Sequence, residues 1–191
     1  LTMANISTTH APFPVSLPVS LTVDQMKRVI FESGLQYVFS PKADGVFFYL
    51  YAFCDKNTRV RQVFLVNRKW EFFTYPFVDI PEEWFDDHGT LLDVELLLLN
   101  DNTTWSLLVK DVLLWKGQSV ISKPYADRLQ IFDFFLKQIH KRDGWLITKL
   151  EDDNLSLLVQ LKDVFQTSWI GKTNDILKKL PYETDGWISD S

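Results

Sequence analysis

Cysteine is almost missing from this chain. Cys54 stands alone among 191 residues, so no internal disulfide can form, and a reducing, intracellular setting is the expectation. Histidine is scarce too. His10, His88 and His140 are widely scattered, which excludes a zinc cluster read from sequence, and each reads as a surface or internally satisfied side chain. The 7 glycines build neither a phosphate-cradling glycine-rich loop nor a dinucleotide fingerprint, and no Gly-x-Ser-x-Gly elbow offers a serine nucleophile. Long apolar runs are lacking: the longest leucine run, 96–99, stops at Asn100 and Asp101, far short of the roughly 18–20 residues of a membrane-spanning helix. A basic start followed by an apolar core, the mark of a secretory signal, is not found either. Nor is there an excess of positive charge. The net charge of −5 excludes bulk electrostatic recruitment of nucleic acid, so a nucleotide or RNA end must be held by local charge. The pairs Lys141-Arg142 and Lys178-Lys179 read as solvated faces.

What the chain has in plenty is apolar and aromatic side chain, 46% and 15%, with 15 Phe and 7 Trp, enough for one domain with a sizeable core. Residues 1–22, with Pro12, Pro14 and Pro18, read as an extended arm, and 23–191 as the folded domain. Thr22 or Asp24 can cap a first helix striped by Met26, Val29 and Ile30 and closed by Gly34. Four β-branched and aromatic runs, 36–39, 46–54, 60–67 and 70–75, then predict a meander of strands, with two more strands at 91–99 and 105–115 flanking the turn at 100–103. Behind Pro124, the apolar residues Leu129, Phe132, Phe135, Leu136 and Ile139 repeat at three-and-four spacing, which predicts a helix over 125–140 packed on the sheet. A short strand near 145–150, a helix between 161 and 180 and a last strand at 186–189 complete an α+β pattern.

One tetrapeptide invites chemistry: Lys42-Ala43-Asp44-Gly45, set between a predicted strand and the aromatic strand 46–54. Alone it is a common turn, and its weight comes from its surroundings. Pro18-Val19-Ser20-Leu21, a helix, and then Tyr37 through Gly45 resemble the entry to the nucleotidyltransferase domain of mRNA capping enzymes, with Lys42 in motif I. Phe64 to Arg68 is similar to that family's strand ending in an arginine, and Leu91-Leu92-Asp93-Val94-Glu95 to its motif III. The stretch 107–113 resembles motif IIIa, and Tyr125 to Leu129 the start of the next helix. Asp185-Gly186-Trp187-Ile188 resembles motif IV, so the likeness runs from about Phe13 to Ser189.

The resemblance implies a nucleotidyltransferase core of mostly antiparallel sheets with flanking helices, of the ATP-grasp-like ligase and capping type. It also implies that Lys42 carries GMP from GTP, through a covalent lysyl-GMP, to the 5′-diphosphate end of RNA. Asp44, Gly45, Arg68, Glu95, Lys110 and Asp111 would bind the nucleotide, and Glu95 and Asp185 would hold Mg²⁺ or Mn²⁺. Other readings stay open: Glu95 as an inward acid at a strand end, Arg68 as a turn arginine, Asp185 as part of an Asp-Gly turn, Asp111 as a buried acid that fixes a strand. Lys42 should have its pKa pushed down, by burial against neighbouring Phe and Tyr and by the metal, to supply a neutral amine. Implied partners are triphosphatase, methyltransferase or RNA polymerase modules, with no membrane and no DNA duplex. The implied location is the nucleus for a cellular enzyme and the cytoplasm or virion for a viral one. Three positions depart from the pattern: Phe47 where the family commonly has a sugar-binding arginine, Val94 where it has glycine, and Lys110 where it has the aromatic that stacks on guanine. Neither the lysine-rich motif V nor the OB-fold lid occurs before Ser191, so the expectation is a fragment with little or no activity by itself. The alternatives are a nucleotide- or cap-binding module of the same fold without chemistry, and an ATP-dependent polynucleotide ligase.

Overall fold

The computed structural model describes residues 22–32, 37–74, 82–86, 88–140, 146–149, 156–166 and 171–190. All but Thr22 of the arm expected at 1–22, the closing Gly34 and the ends of the strands expected at 70–75 and 145–150 lie outside them. At Thr22 the predicted cap is present: its hydroxyl accepts from the Gln25 N–H at 3.3 Å, and the Gln25 side chain accepts from the Thr22 N–H at 2.9 Å. The helix it starts, α1 (Val23–Met26), passes directly into a π-helical stretch over Lys27–Glu32.

Eleven strands are described, in two sheets. β2 (Val46–Cys54), β3 (Arg61–Val66), β4 (Phe72–Thr74), β5 (Thr90–Leu98) and β6 (Thr104–Trp115) form the body of an eight-stranded sheet in the order β4-β3-β2-β5-β6-β9-β8, with β7 (Gln118–Ser119) also on β6. Its remaining members are β8 (Leu146–Lys149) and β9 (Ser156–Leu161). All its pairings are antiparallel except β6 with β9, and the chain between those two carries helix α2 (Tyr125–His140) across one face. The second sheet is three-stranded: β1 (Val38–Ala43) between β10 (Phe165–Gln166) and β11 (Thr184–Asp190). Its presence corrects the expected meander, since the strand before Lys42 does not pair with β2. The helix expected within 161–180 shrinks to α3 (Thr173–Leu177), because Phe165 and Gln166 are held extended against β1. The strand β9 went unforeseen: its leucines and valine read equally as part of a helix.

Side-chain alternation divides the large sheet into two faces. Leu50, Ala52, Leu65, Leu92, Val94, Leu107, Val109 and Val112 point to the helix side, where they join Phe132, Phe135 and Leu136 of α2 in one buried cluster with Trp84. The opposite face carries Tyr49, Val66, Leu97, Leu108 and Leu113. Near its middle, Ala43 of β1 and Tyr182, ahead of β11, pack on Leu97, Leu99, Leu108 and Leu158. The small sheet is therefore seated on the second face, and the chain crosses from one sheet to the other at Asp44-Gly45. No described helix is long and apolar enough to cross a membrane.

Candidate active site

The crossing point is built by two irregularities. In the β1–β11 ladder Pro41 faces Trp187 and Ala43 faces Thr184, so one residue of β1, Lys42, stands against two of β11, Asp185 and Gly186. Gly186 has φ +148°, a conformation that glycine adopts far more readily than other residues, which fits the extra residue to the ladder. The result is an ion pair between Lys42 Nζ and Asp185 Oδ2 across 143 residues of sequence. A backbone bond from the Asp44 N–H to the Glu183 carbonyl, 3.2 Å, fixes the turn beside it.

Glu95 reaches the same place from the large sheet. A Cβ built on Gly45 would lie 2.5 Å from Glu95 Cγ and 3.0 Å from the Leu96 carbonyl oxygen, so the motif glycine is needed because the Glu95 side chain lies against its backbone. Asp185, Asp44 and Glu95 all act electrostatically on the Lys42 amine. Lys42, Asp44, Gly45, Glu95 and Asp185 thus converge. Behind Glu95 sits a residue that sequence reading missed: Lys162, almost fully buried at the end of β9, with its Nζ 3.4 Å from Glu95 Oε2. A lysine closing the largely apolar stretch of 157–161 was the available signal.

The second irregularity is a bulge in β6. Asp93 faces Asp111 while Val94 faces Val109, which leaves Lys110 as the extra residue. Lys110 turns to the cleft, its Nζ 3.0 Å from Asp93 Oδ1 and 4.9 Å from the centre of the Phe47 ring. Arg68, in the turn after β3, places its guanidinium 4.9 Å from that same centre. Phe47 lies directly across from Glu95 in the β2–β5 register, so this group adjoins the first. Burial pushes the Asp93 carboxyl up to about 6, against the pull of Lys110.

A family model for the mRNA capping enzyme catalytic domain matches residues 2–191. The chain belongs to the mRNA capping enzyme family. Searched against curated proteins, its sequence finds no match. Capping enzymes of this family are nucleotidyltransferases, and the mixed, mostly sheet α+β architecture is consistent with their catalytic domain.

Set beside the capping-enzyme pattern, the departures fall into place. Val94, which stands where the family has glycine, is fully buried on the helix side, so its methyls cannot crowd the cleft. Phe47 and Lys110 touch each other: the ring expected on β6 and the cation expected on β2 are both present, on exchanged strands. Trp105, Trp115 and Phe48, the other aromatics that could replace the missing ring, pack against the helix-side core and are unavailable to the cleft.

Asp111 accepts from Arg128 of α2 with both carboxylate oxygens, at 2.7 Å each, and so anchors β6 to the helix, in keeping with the open reading of a buried acid that fixes a strand. One expectation needs correcting. Lys42 is not buried: its side chain is 49% exposed, and its pKa is raised, chiefly by the hydrogen bond to Asp185. The sequence pointed to a lowered pKa because it could not show that motif IV supplies a carboxylate directly opposite.

Proposed function

We propose that this chain is the nucleotide-transferring core of a GTP:RNA guanylyltransferase, with Lys42 as the nucleophile. The observation that carries this reading is the convergence of Lys42 with Asp185 and Glu95 at the junction of two sheets. In the first half-reaction, the Lys42 ammonium loses a proton and its nitrogen attacks the α-phosphorus of GTP. The N–P bond forms, the bond to the β-phosphate oxygen breaks, and pyrophosphate leaves. In the second, a terminal phosphate oxygen of a 5′-diphosphate RNA attacks the same phosphorus, the N–P bond breaks, and the amine regains its proton. An unperturbed lysine with pKa about 10.4 is neutral in only about one molecule in 10³ near pH 7, and Asp185 favours the ammonium further. In the ground state, then, Asp185 holds and orients the nitrogen, and the carboxylate must be engaged elsewhere before attack.

Hard carboxylate oxygens suit Mg²⁺ or Mn²⁺. An ion of this kind is commonly held by one or two carboxylates together with substrate phosphates, so two carboxylates are enough to take part. Asp185 and Glu95 would hold it, and it would supply positive charge against the phosphates and disfavour protonation of Lys42. Glu95, backed by Lys162, would otherwise accept from a ribose hydroxyl.

A second reading, a binding module without chemistry, draws on the paired, protonated state of Lys42. Incubation with α-labelled GTP and Mg²⁺ separates them. A guanylyltransferase gives protein-bound label that survives denaturation, is lost in acid and kept in alkali, and falls at least about 10³-fold in Lys42→Ala and Lys42→Arg. Metal-independent GTP binding with no label would establish the binder, and equal labelling by ATP would point to a ligase.

A further inference from the structure

A cavity of about 410 Å³ lies at the edge of the large sheet. β8 pairs with β9 only as far as Val159, and beyond that point β10, α3 and the chain leading into β11 close over the uncovered stretch. Leu108, Leu161, Phe165, Ile176 and Leu180 give the cavity apolar walls. Two polar groups on those walls lack partners. Tyr182 is only 5% exposed, its ring packed with Leu97, Leu99 and Leu108, and its buried hydroxyl has no hydrogen-bond partner among the described residues. A buried hydroxyl is rarely left so, and the cavity it lines is where a partner has room. Asp163 makes no ion pair among the described residues, and burial alone pushes its carboxyl up. The other charged side chains of the lining do not relieve it: Asp133 is held by Lys137, and the exposed Lys179 makes no ion pair with Asp163. The charges acting on the Tyr182 hydroxyl are both negative, Asp163 and Glu95, and together with burial they keep the phenol un-ionised.

We propose that this cavity binds a small amphipathic cation, an ammonium group on an apolar body, with the ammonium held between the Asp163 carboxylate and the Tyr182 hydroxyl. An ammonium has three donors and no acceptor, so the carboxylate and the hydroxyl oxygen can each accept from it. A neutral ligand would give the hydroxyl a partner and leave the carboxylate without a counter-charge, and an anion would meet two carboxylates at the hydroxyl. The apolar body lies against Leu161, Phe165 and Ile176. The volume falls toward the small end of ligand pockets, roughly 300–1,000 Å³, which suits a single ring or a short chain. The inference does not rest on the proposed function, since neither Lys42 nor Asp185 nor Glu95 lines the cavity.

The test needs no covalent chemistry, so a failure of Lys42 labelling leaves its outcome untouched. Benzylamine, one ring with one ammonium, is titrated near neutral pH into the wild type and into Asp163→Asn, Tyr182→Phe and Ile176→Trp, each first shown to be folded by its melting curve. Binding is followed by the amide resonances of the protein, and benzyl alcohol serves as the neutral probe of the same shape. Benzylamine should bind saturably and about tenfold more tightly than benzyl alcohol. Asp163→Asn should remove that preference. Tyr182→Phe, which loses only the hydroxyl, should weaken benzylamine about threefold. Ile176→Trp, which fills the cavity and changes neither polar group, should abolish the binding of both probes. Equal affinity for the two probes in the wild type overturns the proposal, and so does a preference for the amine that survives in a folded Asp163→Asn protein. Absence of saturable binding of benzylamine up to about 10 mM overturns it as well, and leaves the cavity to water.

Discussion

The two faces of the large sheet are made by the same strands and are opposite in character. In β5 the alternation is stark: Leu92 and Val94 are fully buried against α2, while Asp93 and Glu95, one residue away, face the cleft. The helix side is continuous hydrocarbon and aromatic contact, with Trp84, Trp115, Phe132 and Phe135 packed ring to ring. The cleft side interrupts its apolar patches with ion pairs and with a carboxylate, Asp93, whose acid form burial favours. Its folded pKa of about 6 exceeds the ordinary carboxylate value, so this group weakens the fold as pH rises from about 4 to about 6. One face supplies stability, and the other gives some of it up to keep charges where a nucleotide can meet them.

The sharpest way to break that contrast is to damage the stable face. Phe132→Ala removes a fully buried ring at the centre of the helix-side cluster and should cost about 3–5 kcal/mol in denaturant unfolding. GTP labelling per folded molecule should persist at a temperature where the variant remains folded. A loss below about 1 kcal/mol would mean that α2 does not close the core. Gly45→Ala probes the other face. Its methyl would press on Glu95 Cγ and the Leu96 carbonyl, one of them backbone, at a cost of about 1–3 kcal/mol. Labelling should fall well beyond that, because Glu95 must swing away from Lys42. A Gly45→Ala protein that labels at the wild-type rate would detach Glu95 from the site.

How far this contrast could be read in the sequence follows from its physics. Helix α2 was legible to the residue because its apolar spacing is local, as was strand β2, and the motif residues Lys42, Glu95 and Asp185 were named with no knowledge of their geometry. Three things were not legible. The pairing of Lys42 with Asp185 depends on a ladder closed across 143 residues. The bulge that sets both Lys110 and Asp111 against Asp93 is a register shift, invisible to a count of alternating positions. Phe47 looked like a loss until the structure set it against Lys110 and Arg68. In each case the missing information was which strand lies beside which.

The smallest expected effect lies between the two faces, in the turn that joins β5 to β6 and so sets the register carrying Asp93, Glu95 and Lys110. Asp101 closes this turn: one carboxylate oxygen accepts from the Thr103 and Thr104 N–H groups at 2.9 and 2.8 Å, and the other from the Thr104 hydroxyl at 2.6 Å. These bonds, led by the Thr104 hydroxyl, hold its pKa at about 2. A carboxyl depressed in the folded state adds stability above its unfolded pKa of about 3.9, and that contribution disappears as pH falls toward the folded value. Asp101→Ala should therefore lower Tm slightly at pH 7, less than Gly45→Ala does, and the gap from wild type should narrow between pH 4 and pH 2 as the wild-type carboxyl takes up its proton. Both faces should keep their function, because the neighbouring Asn102, with φ +56°, and the β5–β6 ladder still define the hairpin. A gap that stays constant down to pH 2 would show that the turn is held by its backbone alone, and a large loss of labelling would show that the register of the cleft face depends on this one carboxylate.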